Sequence, residues 1–257
     1  MIELRNIVWR RENRDILQGV DLTIKEGERW VLLGRNGCGK STLLEMITGY
    51  LFPTSGTVDV LGNRYGRVDV REVRKKIGNI GPSLIEKLIA RDPVWEIIVG
   101  GINAYLRIYE EIPDEVKARA QEELDRVGLG SRFDQPFGTL SQGERKKVLL
   151  ARTMMADPRL LIMDEPCAGL DLYEREKFLD SLESLSKRVQ GILYVTHHIE
   201  EIVPLFTHVA LMAEGRIIAA GPKREVLTAE LLRDAYDVPV DVRWMSDRPW
   251  ITVEKEG

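Results

Sequence analysis

The run Gly34-Arg35-Asn36-Gly37-Cys38-Gly39-Lys40-Ser41 matches the pattern G-x-x-x-x-G-K-[ST] at each of its fixed positions. A strand-like apolar run, residues 30–33, comes directly before it, and residues 42–46 continue after it in a helical pattern. Glycines let the backbone turn tightly and present successive N–H groups to an anion, and the following helix adds its positive N-terminal end. The run therefore predicts a phosphate-binding loop between a strand and a helix.

The residue types in this loop indicate how a nucleotide would be held. We expect Lys40 to reach the β- and γ-phosphates and the Ser41 hydroxyl to bind Mg²⁺. The other positions are expected to surround the phosphates; they are Gly34, Arg35, Asn36, Gly37, Cys38, Gly39 and Thr42. The alternative is a glycine-rich turn that contains a lysine by chance, and the strand before the run and the helix after it argue against this.

A second candidate site follows an apolar strand-like run at residues 160–163. Two acidic residues, Asp164 and Glu165, come directly after it. Charge at the tip of a buried strand is costly unless a cation or a proton-accepting role compensates. We therefore expect Asp164 to hold Mg²⁺, directly or through water, and Glu165 to act as the general base that polarises an attacking water.

The composition excludes several classes of protein. The chain has 257 residues, with 37 basic and 41 acidic side chains, so its formal net charge is −4 at pH 7. This slight acidity argues against direct nucleic-acid binding. The longest apolar run, residues 209–213, is far shorter than the ~20 residues of a membrane-spanning helix, and the charged N-terminal stretch predicts no signal peptide.

Two cysteines, Cys38 and Cys167, are too few for a disulfide scaffold and indicate a reducing compartment. Both are expected to be small reduced residues. The alternative for Cys38 is regulation by oxidation, because the N-terminus of a helix lowers the pKa of a thiol.

Strand-like and helical stretches alternate along the chain, which predicts an α/β core with a helical insertion. The predicted strands are residues 2–9, 20–24, 30–33, 57–61, 160–163, 192–196 and 209–212. Residues 82–156 read as almost wholly helical, with one helix over 115–127 and another that begins at Ser141. Two short strand-like runs follow in the tail, on either side of residues 246–249.

Leu140-Ser141-Gln142-Gly143-Glu144 decides between families of nucleotide-binding proteins. Together with the phosphate loop, the acidic pair, Ala168-Gly169-Leu170-Asp171 and Thr196-His197, it resembles the ATP-binding-cassette (ABC) ATPases. The resemblance implies a P-loop NTPase (RecA-like) core, an N-terminal antiparallel β subdomain and a helical insertion subdomain. It implies one domain over 1–257, with the ATPase core at 1–81 and 157–237, the helical subdomain at 82–156 and a tail at 238–257.

The resemblance also implies a head-to-tail dimer that encloses two ATP molecules. Ser141 and Gly143 would then contact the γ-phosphate held by the Lys40 loop of the partner copy. Asp171 would help to place the two sites, and His197 would contact the γ-phosphate in its own copy. Independently of the family, Ser141 followed by Glu144 is a capping-box pattern, which predicts the start of a helix.

Near the N-terminus and after His197 the sequence departs from the family pattern. The position where the family stacks an aromatic side chain on adenine is occupied by Arg11, and Trp9 is the alternative.

His198 stands where the family usually has an acidic residue and is expected to be polar surface. A metal site with Glu200, Glu201 and His208 is a further alternative, which the ligand spacing does not favour.

Another departure concerns coupling to a membrane partner. After residues 77–80, the family has a strand that ends in a glutamine, which approaches Mg²⁺ and links to the transmembrane subunit. This chain has Pro82 or Ser83 there, and proline cannot supply the amide of glutamine.

Two functions remain open from the sequence. The first is the ATPase subunit of a transporter, cytoplasmic or peripheral on the inner face of the cell membrane, paired with itself or another ABC subunit and with separate transmembrane subunits. The second is a soluble ABC ATPase that acts on a cytosolic partner. A scaffold without turnover is disfavoured because Lys40, Asp164, Glu165 and His197 are all present.

Overall fold

The computed structural model describes residues 1–12 and 14–253. The chain divides into two compact units. The first unit consists of residues 1–74 and 190–257, and the second of residues 75–189. The sequence predicts one domain with an ATPase core, a helical subdomain and a tail. This domain division stays a prediction.

The strands are β1 (Ile2–Arg11), β2 (Arg14–Ile24), β3 (Arg29–Leu33), β4 (Ser55–Val60), β5 (Asn63–Arg64), β6 (Ile77–Ile80), β7 (Leu160–Asp164), β8 (Gly191–Thr196), β9 (His208–Ala213), β10 (Arg216–Pro222), β11 (Val240–Met245) and β12 (Arg248–Val253). The α-helices are α1 (Lys40–Ile47), α2 (Val70–Arg74), α3 (Pro82–Lys87), α4 (Val94–Val99), α5 (Asp114–Arg126), α6 (Gln142–Met154), α7 (Leu172–Ser186), α8 (Lys223–Val226) and α9 (Ala229–Tyr236). Short 3₁₀ helices lie at Gly130–Arg132, Phe137–Thr139 and Ile199–Glu201.

An antiparallel sheet with the order β2-β1-β4-β5 lies in the first unit. Alternating side chains of β1 are buried, among them Ile2 and Leu4, as expected for a strand with one face on the core. β2 begins earlier than predicted, at Arg14, because its first residues pair with charged residues of β1. One such pair is Arg10 with Asp15, whose side chains form an ion pair at 2.6 Å.

The first unit also contains strands in the order β10-β9-β3-β8. β3 is parallel to both β8 and β9, whereas β10 is antiparallel to β9. Every residue of β8 is buried, as is typical of parallel strands covered on both faces. Leu33 and Thr196, the last residues of β3 and β8, are register partners, so the loops that follow these strands start side by side.

The two strand-like runs predicted in the tail pair with each other as a hairpin in the first unit. β11 pairs antiparallel with β12, and Met245 lies opposite Arg248. The two residues between them, Ser246 and Asp247, have φ angles of 48° and 59°, as tight hairpin turns require. Residues 254–257 of the predicted tail lie outside the described residues.

The second unit holds the parallel pair β6 and β7 together with helices α3 to α7. The prediction that residues 82–156 are almost wholly helical is wrong for residues 100–113, which form turns and bends and, as described, contain no helix. Gly100 and Gly101 follow the end of α4, and Pro113 caps the start of α5, so both borders carry residues that interrupt helices.

The other predicted elements are confirmed with small changes at their ends. The hairpin strand β10, the helices α7 and α9, and the short elements β5, α2 and α8 are additional. β10 is not evident in the sequence, because small and charged residues separate its two isoleucines from the rest of the pattern. Across residues 1–12 and 14–253, no helix combines the length and apolar character needed to span a bilayer.

Candidate ATP-binding and hydrolysis site

The predicted phosphate-binding loop joins β3 to α1 in the first unit. Gly37 and Gly39 have positive φ angles of 81° and 110°, a conformation that favours glycine. Arg35, Asn36 and Gly37 are exposed, and Gly39 caps α1 without a side chain that could occupy the first N–H groups of the helix. The loop thus offers backbone donors and a helix N-terminus to an anion, and this geometry suits a phosphate.

Gly34 is required for a different reason, which is close packing. A Cβ atom at this position would lie 2.3 Å from the backbone oxygen of Met212 in β9 and 2.9 Å from the Cys38 Sγ. Only glycine lets the loop leave β3 this close to the neighbouring strand.

Lys40 is the first residue of α1 and is buried, with 6% of its surface exposed. Its Nζ donates hydrogen bonds to the backbone oxygens of Gly34 (2.7 Å) and Arg35 (3.1 Å). A buried ammonium is therefore held over the same loop whose N–H groups suit an anion. Ser41 is exposed and Thr42 is half-buried, directly after it.

The environment of Cys38 does not favour the alternative that its oxidation regulates the protein. Its side chain is buried, and this burial raises the pKa of the thiol, although Lys40 acts in the opposite direction. A raised pKa lowers the fraction of reactive thiolate, so the structure argues against Cys38 as a redox-sensitive residue. Cys167 is buried as well.

His197 lies in the loop after the strand that neighbours β3, and its contact with the γ-phosphate stays a prediction. It follows β8, whose last residue Thr196 is the register partner of Leu33, and Leu33 directly precedes Gly34. The His197 side chain is half-buried. The two parallel strands therefore deliver the loop and the histidine to one edge of the sheet.

Glu201 supports this segment from inside the unit. Its carboxylate is buried and accepts hydrogen bonds from the hydroxyls of Tyr194 (2.8 Å) and Thr196 (2.7 Å). The Thr196 hydroxyl in turn accepts from the backbone N–H of His198 at 3.0 Å. The sequence raised Glu201 only as an unlikely metal ligand, and its spacing from Tyr194 and Thr196 carries no recognisable motif.

The alternative metal site is not assembled. The His198 Nδ1 lies 3.6 Å from a Glu200 carboxylate oxygen, but His208 stacks on Trp30 at 4.8 Å and faces Glu28. Within the part of the chain that the structure describes, no group of three or more His, Cys, Asp or Glu side chains is arranged to hold a metal ion.

The acidic pair lies at the end of β7 in the second unit. Four buried residues lead to Asp164, which is half-buried like Glu165. Glu165 has a φ of 47°, which is uncommon for a residue other than glycine and is typical of functional positions. The chain thus leaves β7 in a constrained backbone turn at the acidic pair.

The capping box predicted at Ser141 is confirmed in the second unit. The Ser141 Oγ accepts a hydrogen bond from the Glu144 N–H at 3.2 Å, and the Glu144 carboxylate accepts one from the Ser141 N–H at 2.8 Å. Ser141 itself is exposed at the start of α6. Gly143 is buried against Glu174 of α7, whose Oε2 would lie 1.9 Å from an added Cβ.

Residues 168–171 lie beside this helix start. The Lys146 Nζ donates to the backbone oxygen of Ala168 at 2.5 Å. Asp171 caps α7 by accepting a hydrogen bond from the Glu174 N–H at 2.9 Å. The second unit therefore brings together Ser141, Gly143 and Asp171, which the resemblance assigns to the dimer interface.

The two candidates for stacking on adenine both lie on β1. Arg11 is its last residue, is exposed and pairs with Arg14 of β2, whereas Trp9 is half-buried opposite Leu17. The choice between them stays a prediction.

Known proteins resemble the chain over nearly its whole length. The family model described as ABC transporter matches residues 17–168, more than half of the chain. The uncharacterized ABC transporter ATP-binding protein YlmA of Bacillus subtilis is 40% identical over 255 residues, which cover 98% of this chain and 97% of the relative.

Two solved structures above 25% identity have the same fold. One is cbiO1 from Clostridium perfringens, described as part of the ABC transporter complex cbiONQ (TM-score 0.78, 28% identity, 91% of this chain and 92% of that chain). The other is a dimeric, post-hydrolysis state of the ATP-binding cassette MJ0796 bound to ADP and Pi (TM-score 0.74, 26% identity, 86% of this chain and 98% of that chain).

The fold and the loop after β3 define an α/β P-loop nucleotide-binding protein, which confirms the predicted fold class. The chain belongs to the ABC transporter family and is an ATP-binding ATPase. The resemblance stated from the motifs and the predicted enzymatic activity are therefore both confirmed.

Proposed function

We propose that this chain is the ATP-hydrolysing subunit of a transporter, that it closes as a head-to-tail dimer, and that it works at the inner face of a membrane on separate transmembrane subunits. The buried Lys40 over a glycine loop, beside His197, carries the nucleotide part of this proposal. The similarity to cbiO1, part of a transporter complex, supports the transport part.

The phosphates and Mg²⁺ are assigned to oxygen and nitrogen donors that fit them. The backbone of residues 34–42 surrounds the phosphates, and Lys40 exchanges its contacts with Gly34 and Arg35 for the β- and γ-phosphate oxygens. Mg²⁺ prefers oxygen ligands, which the exposed Ser41 hydroxyl and the Asp164 carboxylate supply. When bound, the ion neutralises charge that develops on the phosphates.

Hydrolysis is assigned to two side chains. Glu165 accepts the proton of the attacking water as general base, and the uncommon backbone conformation at this residue supports the assignment. His197 contacts the γ-phosphate, held in place by the hydrogen bonds around Thr196 and Glu201.

The dimer contacts are assigned to the second unit. Ser141 and Gly143 at the start of α6 approach the γ-phosphate bound by the partner copy, and Asp171 lies at the same interface. The exposed, capped start of α6 and the dimeric state of MJ0796 support this assignment. Adenine stacks on Arg11 or Trp9, and the separate alanine variants distinguish them by their loss of ATP affinity.

Glu165→Gln tests the catalytic part. We expect ATP binding to persist while turnover falls by at least about 100-fold, because the general base is lost. The variant should elute as a dimer in gel filtration with ATP and Mg²⁺, and as a monomer without them. Glu183→Gln, an exposed change of the same kind on α7, is the matched control. Turnover near the wild-type rate in Glu165→Gln would show that the base is assigned wrongly.

The proposed role in transport requires a surface that binds the membrane subunit, and we propose residues 82–138 as this docking surface. Within this range Ile102, Tyr105, Leu106 and Tyr109 are large apolar side chains exposed to solvent. Such a group marks an interaction surface rather than ordinary polar surface.

A second candidate function is a soluble ABC ATPase with a cytosolic partner. It is favoured by Pro82, which begins α3 at the position where the family has the glutamine that links to the transmembrane subunit. The side chains of Pro82 and Ser83 lie outside the described residues. Fractionation of cells that express the tagged Glu165→Gln variant separates the two functions. Recovery with a membrane-spanning protein supports transport, and recovery only from the cytosol with a soluble protein supports the second candidate.

A further inference from the structure

Two side chains from the C-terminal part of the first unit reach the segment that carries His197. The Tyr236 hydroxyl, at the end of α9, donates to the backbone oxygen of His197 at 3.4 Å. The Arg248 Nε, at the start of β12, donates to the backbone oxygen of Glu200 at 2.6 Å. The sequence predicts no role in ATP binding or hydrolysis for either side chain.

The hairpin that carries Arg248 is itself anchored to the body of the unit. The carboxylate of the turn residue Asp247 forms ion pairs with Lys223 at 2.7 Å and with Arg224 at 2.9 Å. Lys223 is buried and also donates to the Asp247 backbone oxygen at 2.9 Å. Pro249, on the other side of Arg248, is buried as well. Arg248 therefore extends from a fixed position.

Residues 197–200 are held from two sides. Inside the unit, the buried Glu201 carboxylate accepts from Tyr194 and Thr196, as described above. From the hairpin side, the guanidinium of Arg248 holds the Glu200 carbonyl, and a charged donor makes a stronger hydrogen bond than a neutral one. The short 3₁₀ helix Ile199–Glu201 lies between these two supports.

We propose that Arg248 is a positioning residue for ATP hydrolysis: the C-terminal hairpin holds the Glu200 carbonyl and thereby sets the place of His197 at the γ-phosphate. This inference rests on the proposed contact between His197 and the γ-phosphate. Tyr236 contributes at the carbonyl of His197 itself. The β11–β12 hairpin thus acts on catalysis through the segment that carries His197.

Steady-state kinetics of the full chain test this role. We expect Arg248→Ala to lower kcat about tenfold, the effect of one charged hydrogen bond, while the Kd for ATP stays within about twofold. Arg248→Lys keeps a charged donor and should recover most of the loss. The matched control is Arg243→Ala on β11, where the arginine pairs with Asp241 of the same hairpin.

A double-mutant cycle separates positioning from general stability. If Arg248 acts through His197, Arg248→Ala should change kcat by less than about twofold in a His197→Ala background. Fully additive losses would overturn the inference. If His197→Ala lowers turnover and Arg248→Ala does not, the inference is wrong while the proposed function stands. If His197→Ala itself leaves turnover unchanged, the proposed role of His197 is wrong.

Histidine NMR gives a readout besides activity, because the chain has only three histidines. Arg248→Ala should shift the ring signals of His197 and His198, whose ring centroids are 4.0 Å apart, and leave His208, stacked on Trp30, unchanged. Unmoved His197 and His198 signals would contradict the inference. If Arg248→Ala does not fold, Tyr236→Phe, which removes the hydrogen bond to the His197 backbone oxygen, gives the same comparison with a smaller change.

Discussion

At the scale of the residue, the phosphate-binding loop uses glycine for two different physical reasons. Gly37 has a φ of 81° and open space around it, so its requirement is conformational. Gly34 has no positive φ, but its Cα faces the backbone of Met212, so its requirement is steric. The pattern G-x-x-x-x-G-K-[ST] does not distinguish these two reasons.

The two reasons predict different costs for the same substitution. Gly37→Ala should lower the free energy of unfolding by about 1 kcal/mol, the cost of a left-handed backbone for a residue with a Cβ. Gly34→Ala should lower it by at least about 2 kcal/mol, because a backbone atom must move. Urea unfolding of the two variants measures this difference, and equal costs would contradict the steric explanation.

At the scale of the element, α6 carries a specific contact at each end. Its start is closed by the capping box of Ser141 and Glu144. Near its end, the buried guanidinium of Arg152 donates to the backbone oxygens of Ile97 (2.5 Å) and Tyr105 (2.7 Å). Burial lowers the pKa of Arg152 to about 10. Arg152 thus ties the irregular residues 100–113 to the helix that begins at Ser141.

Removal of Arg152 should therefore loosen residues 100–113. We expect Arg152→Met to lower the free energy of unfolding by about 2 kcal/mol, since the carbonyls of Ile97 and Tyr105 lose a charged donor. Chymotrypsin should also cut faster at the exposed Tyr105 and Tyr109. Arg119→Met, which removes an ion pair with the exposed Asp157, is the control and should change cleavage little. Unchanged cleavage in Arg152→Met would show that Arg152 does not hold this stretch.

The anchor of the β11–β12 hairpin has a defined pH dependence. The hydrogen bond from Lys223 holds the pKa of Asp247 below its ordinary value of 3.8. Because the pKa is lowered in the folded state, the ion pair stabilises the protein fully at pH values above the ordinary pKa. This stabilisation is lost as the pH falls through the lowered pKa of the folded state.

Asp247→Asn tests this dependence. Because the carboxylate is 43% exposed, we expect a loss of less than about 1 kcal/mol at pH 7. The unfolding free energies of variant and wild type should converge as the pH falls below 3.8. Asp241→Asn on the same hairpin, which removes only the exposed pair with Arg243, is the control. A difference that is constant with pH would exclude the carboxylate as its cause.

At the scale of the whole molecule, the proposed dimer makes each ATP site a shared one. Lys40 belongs to the first unit, and Ser141 to the second. In a head-to-tail dimer, one site takes Lys40 from one copy and Ser141 from the other. Two differently damaged copies can therefore form one intact site.

This sharing predicts complementation between inactive variants. Lys40→Ala and Ser141→Arg should each be inactive, but an equal mixture should recover about a quarter of the wild-type activity. Half of the randomly formed dimers are mixed, and each mixed dimer has one intact site. Lys40→Ala mixed with the double variant Lys40→Ala/Ser141→Arg contains no intact site and is the control. ATPase measurements after mixing give the result, and absence of recovery would contradict a site shared between copies.

The features that could be predicted from the sequence depend on residues close together along the chain. Local spacing along the chain predicts the glycine loop, the capping box of Ser141 and Glu144, the acidic pair after an apolar run and the two strands of the tail. These local patterns were also sufficient to indicate the ABC family, because its motifs occur in a fixed order.

Only the tertiary structure decided the features that depend on burial and on contacts between distant residues. The raised pKa of Cys38 follows from burial, which overrides the helix N-terminus that local reasoning considers. Arg152 contacts backbone atoms 55 and 47 residues away, and Arg248 contacts one 48 residues away. No local spacing encodes such a partner, because the fold alone brings a side chain to a distant carbonyl.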